Sequence, residues 1–115
     1  MCAKLLDEVE DEVVSLLNNL IRIDTINPPG NETRAARFLA GKLGEDGLKC
    51  EVIEPSEGRG NMITKIKGKG EKPSLLLLSH LDVVPATPKE WSVDPLSVLV
   101  KDGFVWGRGA LDCKN

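Results

Sequence analysis

The sequence predicts a layered α/β domain with a mixed β-sheet flanked by helices. Three observations predict it. Apolar residues recur at helical spacing through the first two segments, the period shifts toward alternation from Leu48 onward, and Leu75–Leu78 is an uninterrupted apolar run.

Leu5, Leu6, Val9, Val13, Leu16, Leu17 and Leu20 fall in steps of three and four between Lys4 and Ile23, with Asp7, Glu8, Asp11 and Glu12 on the opposite face. That is one stripe of an α-helix, and acids in its early turns suit the positive end of the macrodipole. Asn27-Pro28-Pro29-Gly30 stops it, because proline lacks a backbone donor and restricts the residue before it. A second helix is expected from Asn31, a good N-cap residue, through Ala35, Ala36, Phe38, Leu39 and Leu43, with Gly44 or Gly47 ending it in the left-handed cap geometry.

Leu48–Glu54 and Asn61–Lys67 alternate as strands do, the latter with Met62, Thr64 and Ile66 on one face. Gly68–Pro73 reads as a turn, and Leu75–Leu78 as a central strand covered on both faces. Ser97–Lys101 and Phe104–Trp106 flank Asp102-Gly103, a strong two-residue hairpin signal. No internal repeat or low-complexity stretch interrupts the pattern.

The chain of 115 residues is 41% hydrophobic and 29% charged, enough apolar material for the core of one small domain. A net charge of −3, with no basic block and 3% aromatic residues, disfavours nucleic acid or an anionic membrane as partner. No apolar stretch approaches the roughly 20 residues of a membrane span, and the acidic N-terminal dozen is unlike a secretion signal. Cys2, Cys50 and Cys113 are odd in number and lack C-x-x-C spacing, so reduced thiols in a cytoplasmic protein are the simpler account. The Asn31-Glu32-Thr33 sequon is idle in that compartment, and Trp91 and Trp106 are expected as packing anchors.

Two segments carry candidate chemistry. Ser79-His80-Leu81-Asp82 follows the apolar run, where a strand hands its last residues to a loop, and His80 is the one histidine of the chain. An imidazole there is a natural metal ligand, and a carboxylate two positions on can orient it; the plainer reading is a histidine that only hydrogen-bonds at a strand end. In Trp106-Gly107-Arg108-Gly109-Ala110-Leu111-Asp112-Cys113, two glycines permit a close backbone approach. Asp112 can bridge two metal ions, or simply cap a helix. A nucleotide reading of Gly107-x-Gly109 fails, because Asp112 stands where a third glycine is needed. Covalent catalysis ranks below metal-assisted hydrolysis: no G-x-S-x-G elbow exists, Ser79 and His80 are neighbours on an extended segment, and nothing local activates Cys113.

Taken together, the segments resemble a known family. Leu75–Pro85, with its Ser79-His80-Leu81-Asp82 centre, resembles the first metal-binding signature of the zinc-dependent exopeptidase and deacylase family, the group of acetylornithine deacetylase, succinyl-diaminopimelate desuccinylase, aminoacylases and glutamate carboxypeptidases. Trp91–Leu96, Asp102-Gly103 and Trp106–Lys114 resemble its second signature in the same order, and Asn27–Glu32 is similar to the loop many members carry between their first two helices. Leu96 stands where many relatives have phenylalanine.

The resemblance implies two zinc ions, with cobalt or manganese as alternatives, bound in part by His80 and bridged by Asp112, while Asp82 supports His80 from behind in the catalytic site. It implies a cis Asp112–Cys113 peptide and hydrolysis of amide bonds in N-acyl amino acids or short peptides by a metal-activated water. It also implies that residues 1–115 are an incomplete N-terminal part of the catalytic domain, with a lid or dimerisation domain and the remaining ligands elsewhere, in a parent enzyme expected to be a homodimer. By itself the chain is expected to hydrolyse nothing and to self-associate through uncovered strand edges. The alternative is a non-catalytic α/β binding module with relic metal-site motifs.

Overall fold

The apolar stripe that begins the sequence forms helix α1, Cys2–Arg22, in the computed structural model of the chain. The structure describes residues 2–114, and in α1 the side chains from Val9 onward; Leu5, Leu6, Asp7 and Glu8, assigned above to its two faces, have side chains outside the described residues, as has Cys2. Burial along the stripe grows toward the C-terminal end. Val9 and Val13 remain 46% and 55% exposed, Leu16 and Leu17 are half-buried, and Leu20 and Ile21 are buried. The helix closes at Arg22, ahead of the prolines expected to stop it. No described helix is long and apolar enough to cross a membrane.

The chain divides into two units, one made of Met1–Asp24 and Val83–Asn115, the other of Thr25–Asp82. In the second unit, helix α2, Glu32–Glu45, follows Asn31, whose side chain makes no capping bond. The amide of Thr33 instead donates to the carbonyl of Gly58 at 3.0 Å, so a loop supplies the acceptor that a capping side chain would. At the other end the amides of Gly47 and Leu48 donate to the carbonyls of Gly44 and Leu43, a Schellman closure at one of the two glycines expected to end the helix.

Strands β1, Cys50–Ile53, and β2, Asn61–Thr64, pair antiparallel with Cys50 opposite Thr64 and Val52 opposite Met62. These four residues share the half-buried face, and α2 lies against both strands. The strands are shorter than the alternation suggested, and Ile66, beyond β2, is 74% exposed.

In the first unit, β3, Leu99–Lys101, and β4, Phe104–Trp106, form the hairpin that Asp102-Gly103 announces. Both turn residues have positive φ, 55° and 79°, as a type I′ turn requires. Trp91 is half-buried beneath the Arg108 guanidinium, 4.9 Å from its ring centre, and serves as the expected anchor. Trp106 does not, being 44% exposed.

The α/β class therefore stands, as helices with small antiparallel sheets, and the single mixed sheet is corrected. Both ladders have two strands and both are antiparallel. Leu75–Leu78 forms no strand, and its four leucines are 81–89% exposed. A central strand needs partners on both edges and cover on both faces, and among the described residues each ladder stops at two strands without taking up this run.

Candidate functional site

The site in the second unit is built by drawing two distant loops together. The Thr25 hydroxyl, fully buried, donates to the carbonyl of Leu81 at 2.7 Å. Two residues on, Asn27 Nδ2 donates to Asp82 Oδ2 at 2.9 Å. The segment after α1 is thus fastened to the His80 segment by a backbone and a side-chain contact; Asn27 lies in the stretch read above as a helix stop and as a family-like loop, and Thr25 drew no reading.

His80 is half-exposed and faces Asp82 through Nδ1. That nitrogen lies 2.9 Å from the Asp82 carbonyl oxygen and 3.2 Å from Oδ1. A backbone carbonyl only accepts, so Nδ1 carries a proton, and in the neutral ring Nε2 then holds the lone pair. The hydrogen bond from Asn27 lowers the Asp82 pKa; burial opposes it, and the nearby imidazole adds a smaller attraction.

Behind Asn27 stands an ion pair that no sequence signal announced. Arg59 donates through Nη1 to Asn27 Oδ1 at 3.0 Å and to the Pro29 carbonyl at 3.3 Å, while its Nε lies 3.3 Å from Glu32 Oε2. The Glu32 side chain is only 8% exposed. Gly30, at φ 84°, lies where a Cβ would strike Arg59 Nη1 and come within 2.9 Å of both Glu32 carboxylate oxygens. The glycine is what allows the ion pair to close against the loop. A cavity of about 640 Å³ opens beside His80 and Asp82, with Met62, Ile63, Leu77 and Leu78 in its apolar lining and Glu32 and Arg59 in its polar lining.

Asp112 belongs to the first unit and is exposed, and its peptide bond to the half-buried Cys113 is cis. The glycines before it do bring backbone close to side chains. A Cβ on Gly107 would lie 2.7 Å from Ile21 Cγ2, and one on Gly109, at φ 87°, would lie 2.8 Å from Val83 Cγ1. Lys114, buried, folds back onto α1 and donates through Nζ to the carbonyls of Leu20 at 2.8 Å and Ile23 at 3.0 Å. Burial lowers its pKa to about 8, partly offset by Asp24. It caps the end of a helix more than 90 positions away in sequence, which no local pattern could disclose.

Of the residues singled out beforehand, the structure sets His80 against Asp82 within one unit and places Asp112 on the loop of the other. Asn27, Glu32 and Arg59 are the additions. The prolines and the family-like pattern marked the Asn27 loop without giving its residues a role in the site; no local pattern marks Arg59.

Residues 76–115 match the family model described as Peptidase family M20/M25/M40. Pig aminoacylase-1 (Sus scrofa) is 36% identical over 111 residues, covering 93% of this chain and 27% of that protein. An N-formyl-4-amino-5-aminomethyl-2-methylpyrimidine deformylase of Bacillus subtilis (strain 168) is 32% identical over 116 residues, with 97% and 27% covered. Succinyl-diaminopimelate desuccinylase 2 of Ruegeria sp. (strain TM1040) is 33% identical over 103 residues, with 89% and 25% covered. The chain spans about a quarter of the length of these curated relatives.

Proposed function

The chain belongs to the peptidase family M20/M25/M40, and from that premise we propose that it contributes metal ligands to a hydrolase cleaving the amide bond of N-acyl amino acids or short peptides. The observation that carries the reading is the His80–Asp82 contact. An imidazole whose Nδ1 proton is held by a carbonyl and a carboxylate presents Nε2 as a ligand, the arrangement that fixes ring orientation and raises basicity in metal-binding histidines. The names of the relatives support the substrate class: an aminoacylase, a deformylase and a desuccinylase all denote removal of an acyl group.

The donor set suits the metal. One imidazole nitrogen and a carboxylate accept zinc, and also cobalt or manganese. In this reading His80 would ligate through Nε2, Asp112 would ligate through its carboxylate, and Asp82 would hold the His80 ring. A bound pair of divalent ions supplies Lewis acidity, polarising the scissile carbonyl and acidifying water. The cavity beside His80 is of the size that holds small ligands, and its apolar lining residues would take an acyl chain.

Ligand inventory limits what these residues do by themselves. A catalytic zinc takes about three protein ligands and an open position, and this sequence has one histidine. Residues 1–115 therefore act as part of a catalytic domain, hydrolysing nothing in isolation, with the further ligands and any dimer contacts supplied from outside them. An odd cysteine count without metal-knuckle spacing fits a reducing, cytoplasmic setting.

The test is a chimera in which this chain replaces the matching segment of pig aminoacylase-1. It should bind zinc and release the acid from an N-acetyl amino acid, and His80→Ala or Asp112→Ala should abolish the hydrolysis. Hydrolysis that survives both substitutions overturns the proposal, as does a folded, active chimera that holds no metal.

A further inference from the structure

We propose that Asn27 and Arg59 are positioning residues that reinforce the Nδ1–H tautomer of His80, acting through the Asp82 carboxylate. The argument begins with an ambiguity. A side-chain amide offers an oxygen on one side and an NH₂ on the other, and nothing in Asn27 itself decides which faces Asp82. Arg59 decides it. A guanidinium only donates, so the atom of Asn27 that lies 3.0 Å from Arg59 Nη1 is Oδ1. The NH₂ is then committed to Asp82 Oδ2, 2.9 Å away, and that oxygen must accept. The other carboxylate oxygen, Oδ1, is left as an acceptor 3.2 Å from His80 Nδ1 and joins the Asp82 carbonyl in holding the Nδ1 proton.

Arg59 is in turn held in place. Glu32 faces its Nε at 3.3 Å, and the Pro29 carbonyl accepts from Nη1 at 3.3 Å. The mostly buried carboxylate of Glu32 anchors the guanidinium, the guanidinium orients the amide, the amide orients the Asp82 carboxylate, and that carboxylate joins the Asp82 carbonyl in holding the proton on Nδ1. Every member lies within Thr25–Asp82. The consequence is that the Nδ1 proton of His80, already held by the Asp82 carbonyl, is held further by a chain that begins three hydrogen-bonded contacts away. The purpose of this device rests on the reading of His80 as a metal ligand, while its existence is measurable with no metal present.

A single histidine makes the measurement direct. The full chain, labelled with ¹⁵N at histidine and kept in chelator at neutral pH, gives one pair of ring-nitrogen resonances. The expected spectrum has Nδ1 as the protonated, pyrrole-type nitrogen and Nε2 as the pyridine-type one. Arg59→Met and Asn27→Leu should each lower the Nδ1–H to Nε2–H ratio about fivefold, the factor an ordinary net hydrogen bond supplies. Arg59→Lys, which keeps a donor without the guanidinium fork, should recover part of it. An Nε2–H ring in the unsubstituted chain overturns the proposal with no variant needed. So does an unchanged ratio in folded Arg59→Met or Asn27→Leu, since a merely structural role would lower stability and leave the tautomer alone. Failure of the aminoacylase chimera to need metal would remove the proposed function and leave this result standing.

Discussion

Asn27 reaches Asp82 across 55 positions of sequence, its Nδ2 donating to Oδ2 at 2.9 Å. The contact gives Asp82 an acceptor's role on both of its oxygens, one toward the amide and one toward His80. A carboxylate so engaged is suited to orient a ligand. We expect Asp82→Asn, placed in the aminoacylase-1 chimera, to reduce zinc affinity by about 10–100-fold, the usual cost of losing a partner behind a ligating histidine. Competitive titration against a zinc chelator measures it, and an unchanged affinity would separate Asp82 from the metal site.

Glu32 and Arg59 make an unequal ion pair, with side chains 8% and 39% exposed. Breaking a fully buried pair costs about 3–5 kcal/mol, but the exposed half of this one is screened by water. Glu32→Ala should therefore destabilise the chain by about 1–2 kcal/mol, read from the urea midpoint. A loss within error of zero would mean that the guanidinium is satisfied by Pro29 and Asn27 without it.

The acid limb of stability follows from two carboxylates. Asp82 is lowered chiefly by the Asn27 hydrogen bond, and Glu54 chiefly by the Gly58 amide, which donates to it at 2.8 Å, with Arg37 adding a smaller attraction. A folded-state pKa below the unfolded value means that the unfolded chain binds more protons as the solution is acidified. These contributions are complete above the ordinary values of 3.8 and 4.5 and are lost as pH falls through the lowered ones. Urea midpoints should decline from about pH 5 downward, and Glu54→Gln should flatten part of the decline.

Lys114 gives the opposite limb. Its pKa of about 8 in the fold lies below the ordinary 10.5, so between those values the unfolded chain holds the proton more tightly. Stability should rise with pH across that window, as the cost of burying an ammonium disappears. Lys114→Met should abolish the rise. At pH 7 the same substitution leaves the Leu20 and Ile23 carbonyls without their shared donor, a loss of about 1–3 kcal/mol set against the removed burial cost.

Much of this architecture was legible because its causes are local. Apolar residues three and four apart produce α1 and α2, Gly47 closes α2 through bonds to residues within the preceding turn, and Asp102-Gly103 sets its hairpin by backbone conformation alone. The His80–Asp82 contact spans two residues and was equally readable. Arg59 meets Asn27 over 32 positions, and Lys114 meets Leu20 over 94. Such contacts depend on how finished elements pack, and no window of sequence contains them. The Leu75–Leu78 expectation failed for the complementary reason: an apolar run states what a segment needs, not whether partners are at hand.

That unmet need carries the last expectation. Leu75, Leu76, Leu77 and Leu78 are each at least 81% exposed, in a segment that pairs with no strand among the described residues. Four adjacent leucines facing water lose roughly 1.5–3 kcal/mol apiece relative to full burial, and an unpaired extended segment offers backbone donors and acceptors to any matching edge. A second copy of the same run supplies both the apolar surface and the hydrogen bonds. Size-exclusion chromatography of the 115-residue chain should show an elution volume that falls as concentration rises. Charge within the run opposes association, so Leu76→Lys with Leu78→Lys should return the chain to a monomer without altering helix content by circular dichroism. A monomer at every concentration in the unsubstituted chain would show that the run finds its cover within the molecule.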